Sequence, residues 1–397
     1  MVRFAHIADI HLGGWKQEPM QELNFMSFQK AIDTCINSKP KIEFIIMAGD
    51  IFDSAYPSIE ILKRTFAEFK KIKEASIPCF IIAGSHDFSV SGKTFLDVLE
   101  KAGFCKNVTD FEETQNGEII LNPTVHEGIA LYGYPGKKSG LEVQDLRKVK
   151  LNDAPGMFKI FMLHTTLDKV RGDLPIDAIA TEDLPKADYY ALGHIHVDFQ
   201  YENFVYPGPI YPNNFKELED LNHGRFYIVE ANTEFSEIKS LERKELKLKE
   251  VISLQVQVTN ALTATDKIVS ELERLDLNNK IVLLRVKGEI ETGKNTDIKF
   301  SYIEQIAKQK GAYFLLKNTH ELKTLEPELA DIAEGSEATR ENIEEESIKA
   351  FTSQNPSEFN KFIPQLIHSL TIEKQEDEKT DIFNNRLLEE SKKILKF

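Results

Sequence analysis

Val2-Arg3-Phe4-Ala5-His6-Ile7-Ala8-Asp9-Ile10-His11 begins as an apolar run of strand length and ends in two metal-ligand side chains two residues apart. The same device returns at Ala191-Leu192-Gly193-His194-Ile195-His196. Between them lie Ala48-Gly49-Asp50-Ile51-Phe52-Asp53, Gly84-Ser85-His86-Asp87 and Leu163-His164, each after a stretch that reads as a buried strand. Short apolar runs bounded by turn signals are how strands covered on both faces look in sequence. Ligand-type side chains repeated at the carboxyl ends of such strands describe a metal site assembled by a sheet.

Working outward, the runs at 2–8, 44–48, 79–83, 128–133, 158–163 and 189–192 are the expected strands. Helix-like stretches, Met20–Ser38 and Ser58–Glu74, separate the first three; in the second, Ile59, Leu62, Phe66, Phe69 and Ile72 fall near helical spacing. Strand–helix–strand alternation predicts βαβ units and a largely parallel sheet. Later runs at 204–207 and 225–230 have shorter, turn-rich connections and predict antiparallel pairing. The expected class is α/β, a two-layer mixed β-sheet core flanked by helices. Composition shifts near Glu245. Residues 246–320 then read strand, helix, strand, helix, strand, a small α/β module that could fold separately.

From Leu325 to Gln354 the chain is acidic and poor in aromatics, as a linker or solvated helix would be. Beyond Ser357, a plausible N-cap, Phe359, Phe362, Ile363, Leu366, Ile367 and Leu370 form an apolar helical stripe, with Pro364 expected to kink it. A second apolar stretch holds Ile382, Phe383, Leu387, Leu388, Ile394 and Leu395.

Net charge is −15 over 397 residues, which argues against a nonspecific nucleic-acid binder with a basic face. The charge is uneven, since residues 321–397 hold 18 acidic and 10 basic side chains. Several acids elsewhere sit near the expected metal site, where cations offset them. Mean hydropathy is −0.32. No apolar run reaches the roughly 20 residues that cross a bilayer, and a strand from Val2 leaves no room for a signal peptide. Cys35, Cys79 and Cys105 lack CxxC spacing and read as reduced structural thiols. A cytoplasmic protein, free or nucleoid-associated, with no membrane attachment is expected.

Asp9, His11, Asp50, His164, His194 and His196 mix carboxylate and imidazole without thiolate, a donor set suited to catalytic manganese, iron or zinc. One open catalytic metal needs about three protein ligands. Six candidates point to two metals, with a carboxylate such as Asp50 bridging them in a clamp for displacement at phosphorus.

The ordered set Asp-x-His, Gly-Asp-x-x-Asp, Gly-x-His-Asp, His, Gly-His-x-His resembles the calcineurin-like metallophosphoesterase superfamily. Ile7-Ala8-Asp9-Ile10-His11-Leu12-Gly13 and Ala191–His196 are closest to its double-strand-break repair nucleases of the Mre-eleven/SbcD type. The resemblance covers about 1–240 and extends loosely to the small module and the tail. It implies a manganese-dependent 3′→5′ exonuclease and single-strand endonuclease for DNA ends and hairpins, holding two Mn2+ or similar ions. One ion would sit on Asp9, His11, Asp50 and His196, the other on Asp50, Ser85, His164 and His194. His86 would be catalytic, stabilising charge on the phosphate or protonating the leaving 3′ oxygen. Asp87 would orient a neighbouring imidazole. Asp53 would orient a ligand or cap a turn.

The resemblance also implies four divisions: a nuclease domain 1–245, a DNA-binding cap 246–322, an acidic linker 323–354 and a helical tail 355–397. The tail would dock on a Rad-fifty/SbcC-type coiled-coil ATPase. A homodimer is expected, with Ile59–Ile72 and Lys93–Leu99 as candidate dimer helices. Lys267, Lys280, Lys287, Lys294, Lys299, Lys308 and Lys310 are the cap's candidate DNA contacts.

Ser85 stands where the family carries Asn, and its shorter hydroxyl is expected to hold the second ion more weakly. Two other readings stay open: a small-molecule or protein phosphoesterase of the same superfamily, and a weakly active scaffold for DNA and the ATPase.

Overall fold

The structure is a computed structural model. It describes residues 1–89, 92, 94–172, 176–324, 352, 357, 360–363, 365, 366 and 380–395. The chain divides into two compact units, 1–288 with 292–322 and 289–291 with 323–397.

The first unit opens with β1 (Val2–Ile7), α1 (Glu18–Ile36), β2 (Phe44–Ala48), α2 (Ile59–Glu74), β3 (Cys79–Ile82), α3 (Leu96–Lys101) and β4 (Lys106–Asn107). Short strands β5 (Phe111–Glu113), β6 (Ile119–Leu121) and β7 (Thr124–His126) lead to β8 (Ile129–Tyr134), α4 (Glu142–Leu146), β9 (Val149–Leu151) and β10 (Phe158–His164). Then come α5 (Asp168–Arg171), β11 (Tyr189–Gly193), β12 (Phe199–Tyr201), β13 (Phe204–Tyr206), α6 (Phe215–Leu221), β14 (Gly224–Asn232) and β15 (Glu237–Leu246). The α2 start fits its sequence, since the Ser58 hydroxyl accepts the Ile61 N–H at 3.3 Å.

Two six-stranded sheets result, ordered β15-β14-β1-β2-β3-β4 and β12-β13-β11-β10-β8-β7. Strands β1, β2 and β3 run parallel, as do β8, β10, β11 and β13, while β14 and β15 pair antiparallel. The mixed, two-layer α/β class expected from sequence is the one observed. The sheets pack face to face, Phe4, Phe44, Ile46, Phe80 and Ile82 against Leu131, Phe158, Ile160, Met162 and Ala191. Each Phe, Leu, Ile or Met side chain of this set withdrawn from water contributes about 1.5–3 kcal/mol, which fixes how the two sets of strand ends meet. Helices α1 and α2 cover the outer face of the first sheet.

The small module is β16 (Val251–Gln257), α7 (Ala261–Glu273), β17 (Ile281–Ile290), α8 (Phe300–Gln309) and β18 (Phe314–Asn318), its strands all parallel. Helix α7 begins at Ala261, where the Asn260 side chain accepts the Leu262 N–H at 2.9 Å. The module does not stand apart. Ile281, Leu283 and Leu316 share one buried cluster with Trp15, Met20, Leu23, Tyr211 and Leu218, and the indole N–H of Trp15 donates to Pro212 O at 2.8 Å.

In the second unit Asn360–Phe362 forms a 3-10 turn, Ile363, Gln365 and Leu366 are helical, and α9 spans Thr380–Leu395. Phe362, Ile363, Leu366 and Leu387 are half-buried there, whereas Leu388 is 54% exposed. Phe359, Ile367 and Leu370 lie outside the described residues, as does the acidic stretch 325–351.

Candidate metal centre

All five signal strings of the sequence arrive at one rim, the carboxyl ends of β1, β2, β3, β10 and β11, where open α/β sheets bind ligands. The loop after β1 is pinned from two sides. The N–H groups of Ile10 and His11 donate to Asp50 O at 2.9 and 2.8 Å, and Asn24 of α1 donates to Ile10 O at 2.9 Å. Asp9, His11, Asp50 and His194 all adopt positive φ, a left-handed conformation costly for non-glycine residues and concentrated at functional sites.

Small residues let the donors close up. A Cβ on Gly84 would lie 2.2 Å from Asp50 Oδ1, and one on Gly49, at φ +86°, 2.3 Å from His164 Nδ1.

Three donor groups result; two gather the expected ligands, and the third shares His11 and adds Asp53 and His86. Asp9, His11 and His196 offer atoms within 4.8 Å of one another, and so do Asp50, His164 and His194. His11 Nε2 is 3.0 Å from His196 Nε2, and Asp50 Oδ2 is 3.1 Å from His164 Nε2 and 3.6 Å from His11 Nε2.

The outer ring nitrogens are held elsewhere. His164 Nδ1 lies 2.9 Å from Ala48 O, His11 Nδ1 is 3.1 Å from Asp53 Oδ1, and His196 Nδ1 is 3.0 Å from Glu217 Oε1. Such contacts fix tautomer and ring orientation. His86 is the exposed member, its N–H donating to Asp50 Oδ1 at 2.8 Å and its Nδ1 2.8 Å from Asp53 O. Ser85 lines the same cleft as His86 and His194.

The electrostatics favour a cation. Burial pushes His164 down, but the adjacent Asp50 carboxylate outweighs it and raises the imidazole to about 10. Burial acts likewise on His196, where Glu217 and Asp9 lift it to about 9. Asp50 is pushed up by burial and pulled down further by His164 and His11, ending well below the usual carboxylate range. His194 is held at about 3 by burial and by the neighbouring His164.

Asp87 has a different task from the one expected. Its carboxylate accepts N–H groups of Ile51, Phe52 and Gly84 at 2.9–3.2 Å and so holds the loops after β2 and β3 together, rather than orienting an imidazole. Burial and the Asp50 charge raise it to about 6. Asp53 contacts the His11 ring at 3.1 Å and also accepts Asn213 Nδ2 at 3.0 Å. Glu217 is the residue that sequence reasoning missed. Its signal was present as the Asn214-x-x-Glu217 capping pattern of α6, Asn214 accepting Glu217 N–H at 2.9 Å, but nothing in the string ties that helix to His196.

The model of the calcineurin-like phosphoesterase family matches residues 2–198, the span from β1 through the last histidine pair. The chain belongs to the calcineurin-like phosphoesterases. Within them it is 26% identical over 303 residues to the DNA double-strand break repair protein Mre11 of Methanocaldococcus jannaschii, covering 72% of this chain and 77% of that protein. It is 24% identical over 300 residues to the protein of the same name from Archaeoglobus fulgidus, covering 67% and 66%. It is also 28% identical over 251 residues to the uncharacterized metallophosphoesterase YhaO of Bacillus subtilis, covering 58% and 59%.

The residues present fit the divalent metal that this phosphoesterase family implies. Asp9 Oδ2 is a buried polar atom with no hydrogen-bond partner, a costly condition that coordination relieves. Carboxylate and imidazole without thiolate suit a hard or borderline cation.

Three of the seven candidate lysines are engaged with the protein itself. Lys280 pairs with Glu250 and Asp276, both at 3.1 Å, Lys267 donates to Gln257 O at 2.8 Å, and Lys310 holds carbonyls of α7. Lys287 and Lys299 make no ion pair among the described residues. No helix among the described residues is long and apolar enough to cross a membrane.

Proposed function

We propose that the chain is a two-metal, manganese-dependent DNA nuclease of double-strand-break repair. Asp50 carries this reading, because one carboxylate oxygen stands between an imidazole of each donor group, 3.6 Å from His11 and 3.1 Å from His164. Asp9, His11, Asp50 and His196 would hold one ion, and Asp50, Ser85, His164 and His194 the other. Bound ions supply charge for the phosphodiester transition state and lower the pKa of water. The Ser85 hydroxyl, shorter than an asparagine amide, makes the second ion the weaker one, and Ser85→Asn lowers the Mn2+ concentration needed for half-maximal activity.

His86 is the catalytic acid of the proposal. Its Nδ1–H donates to Asp53 O, so the ring acts as an acid in its imidazolium form, giving the Nε2 proton to the departing 3′ oxygen. The cleft, about 790 Å3, is also lined by the 71% exposed Tyr56 and by Lys138 and Lys137, the latter paired with Asp145. An aromatic face beside cations suits unpaired nucleotides better than a small phosphate ester. Duplex ends cleaved 3′→5′, hairpins and single strands are the proposed substrates, with the cap 246–322 meeting the phosphate backbone.

Residues 355–397, joined by the acidic linker, are proposed to bind a Rad-fifty/SbcC-type ATPase, for which exposed Leu388 offers an apolar contact. Ile59 and Val98, 83% and 47% exposed on α2 and α3, support pairing of two chains. The place of action is the cytoplasm.

The test is digestion of end-labelled linear DNA with Mn2+, with and without EDTA, beside a chromogenic small phosphodiester. Metal-dependent DNA cleavage that falls about 10²–10⁴-fold in His86→Ser, with Mn2+ binding intact, is expected. Hydrolysis of the small ester alone favours a general phosphoesterase, and DNA binding without hydrolysis favours a scaffold.

A further inference from the structure

Helix α6 joins the cap to one donor group and not to the other. On its inner side, Glu217 Oε1 is 3.0 Å from His196 Nδ1, and Glu217 Oε2 accepts Asn213 N–H at 2.8 Å. Asn213 in turn donates to Asp53, which lies 3.1 Å from His11 Nδ1. A single carboxylate therefore supports both imidazoles of the Asp9–His11–His196 group. His164 is steadied instead by the backbone at Ala48.

On its outer side, α6 is gripped by the cap. Ile281, Leu283 and Arg285 alternate along β17 and share a face. The first two pack with Leu218 in a buried cluster. Arg285 Nη2 pairs with Glu219 Oε2 at 2.7 Å, and its guanidinium lies 5.2 Å from the Phe215 ring. Glu321 takes the other guanidinium nitrogen at 3.0 Å, so the arginine is fixed from behind as well. Glu217, Leu218 and Glu219 are consecutive on a seven-residue helix. A helix this short moves as one piece, and what displaces Glu219 displaces Glu217.

We propose that the cap sets metal affinity at the Asp9–His11–His196 group alone, with Arg285 as the positioning residue that acts through Glu219, α6 and Glu217. The proposal rests on the two-metal reading above. Its chemical content is that the cap's seating, rather than the ligands alone, decides whether that ion is held.

Mn2+ titration of the full chain, followed by the electron paramagnetic resonance of the free ion, reads site number and affinity without any hydrolysis. Glu217→Gln weakens one site by about 10–100-fold, and Arg285→Ala weakens the same site toward the lower end of that range. Glu219→Gln, which leaves the apolar cap contact in place, reproduces the Arg285→Ala shift if the metal-free chains melt together. In a His164→Ala background, which retains the Asp9 group, the shift persists. Arg285→Ala and Glu219→Gln that leave every affinity unchanged, or that weaken both sites equally, overturn the coupling. A wild-type chain that binds one ion overturns the two-metal reading instead, and the coupling then stands or falls on whether that ion responds to Arg285→Ala.

Discussion

The metal cleft and the cap are both βα assemblies, yet they treat charge in opposite ways. Of the buried polar and charged side chains among the described residues, the cap contributes Thr265 alone, while Asp9, His11, Asp50, Asp87 and His164 crowd the cleft. Burying charge costs several kcal/mol per ion unless a partner compensates. The cleft carries that cost and adds four left-handed residues to it, whereas the cap keeps its charged groups at the surface in ion pairs and caps. A region that buries no ion keeps its charge outside, as the cap does, and the cleft's excess is the physical mark of a cation site.

The largest effect should come from removing the charge shared by the two donor groups. Asp50→Asn keeps the size of the side chain and an oxygen for His86 N–H, but takes away the anion between His11 and His164. Mn2+ binding should fail at both groups and DNA cleavage should fall by at least about 10²-fold. A variant that hydrolyses DNA at the wild-type rate would break the contrast, since the buried charge would then be structural. Circular dichroism of the variant separates lost chemistry from lost fold.

A buried histidine outside the cleft sharpens the comparison, because no carboxylate offsets its burial. His6 lies in the sandwich, 2.9 Å from the Tyr189 hydroxyl, and burial holds its pKa down at about 3 despite a contribution from the backbone at Leu192. Between that value and the unfolded-state value of about 6.5, the unfolded chain binds a proton that the folded chain does not. The contribution is complete above pH 6.5 and is lost as pH falls, by about 2 kcal/mol at pH 5. Denaturant unfolding at pH 7 and pH 5 should show a smaller loss for His6→Gln than for the wild type. Equal losses would show that His6 is not the group responsible. In His164 the same burial is overruled by Asp50, so the two histidines bracket what a neighbouring anion does.

How much of this was legible in the strings follows from the same contrast. Strand ends and ligand types are local, so the runs before Asp9, Asp50, Ser85, His164 and His194 located the rim, and unbroken apolar runs and helical spacing located the elements. Contacts between distant segments leave no local trace. Glu217 is 21 positions from His196, Asn24 reaches back to Ile10 from inside an ordinary amphipathic helix, and the cap's seating depends on Trp15 and Tyr211. Asp87 looked like an imidazole partner because the sequence shows a carboxylate beside ligands, but not that three backbone N–H groups meet it first. Lys267, Lys280 and Lys310 looked free because a sequence does not show which carbonyls and carboxylates they reach.

Lys310 turns that last point into the smallest of the expected effects. Its ammonium group donates to Leu272 O and Leu275 O at 2.9 and 2.8 Å and also reaches Glu273 O, so it closes the carboxyl end of α7. A cation there satisfies orphan carbonyls and meets the negative end of the helix dipole, worth about 0.5–1 kcal/mol. Lys310→Ala should therefore lower the unfolding free energy by that amount and leave DNA affinity and its salt dependence unchanged. Lys299→Ala should do the reverse, leaving stability alone while reducing the slope of log K against log salt by about 0.9 if the side chain meets one phosphate. If Lys310→Ala instead flattens the salt slope and spares stability, the cap's lysines are held ready for DNA, and the division between a charged cleft and a structural cap fails at its outermost residue.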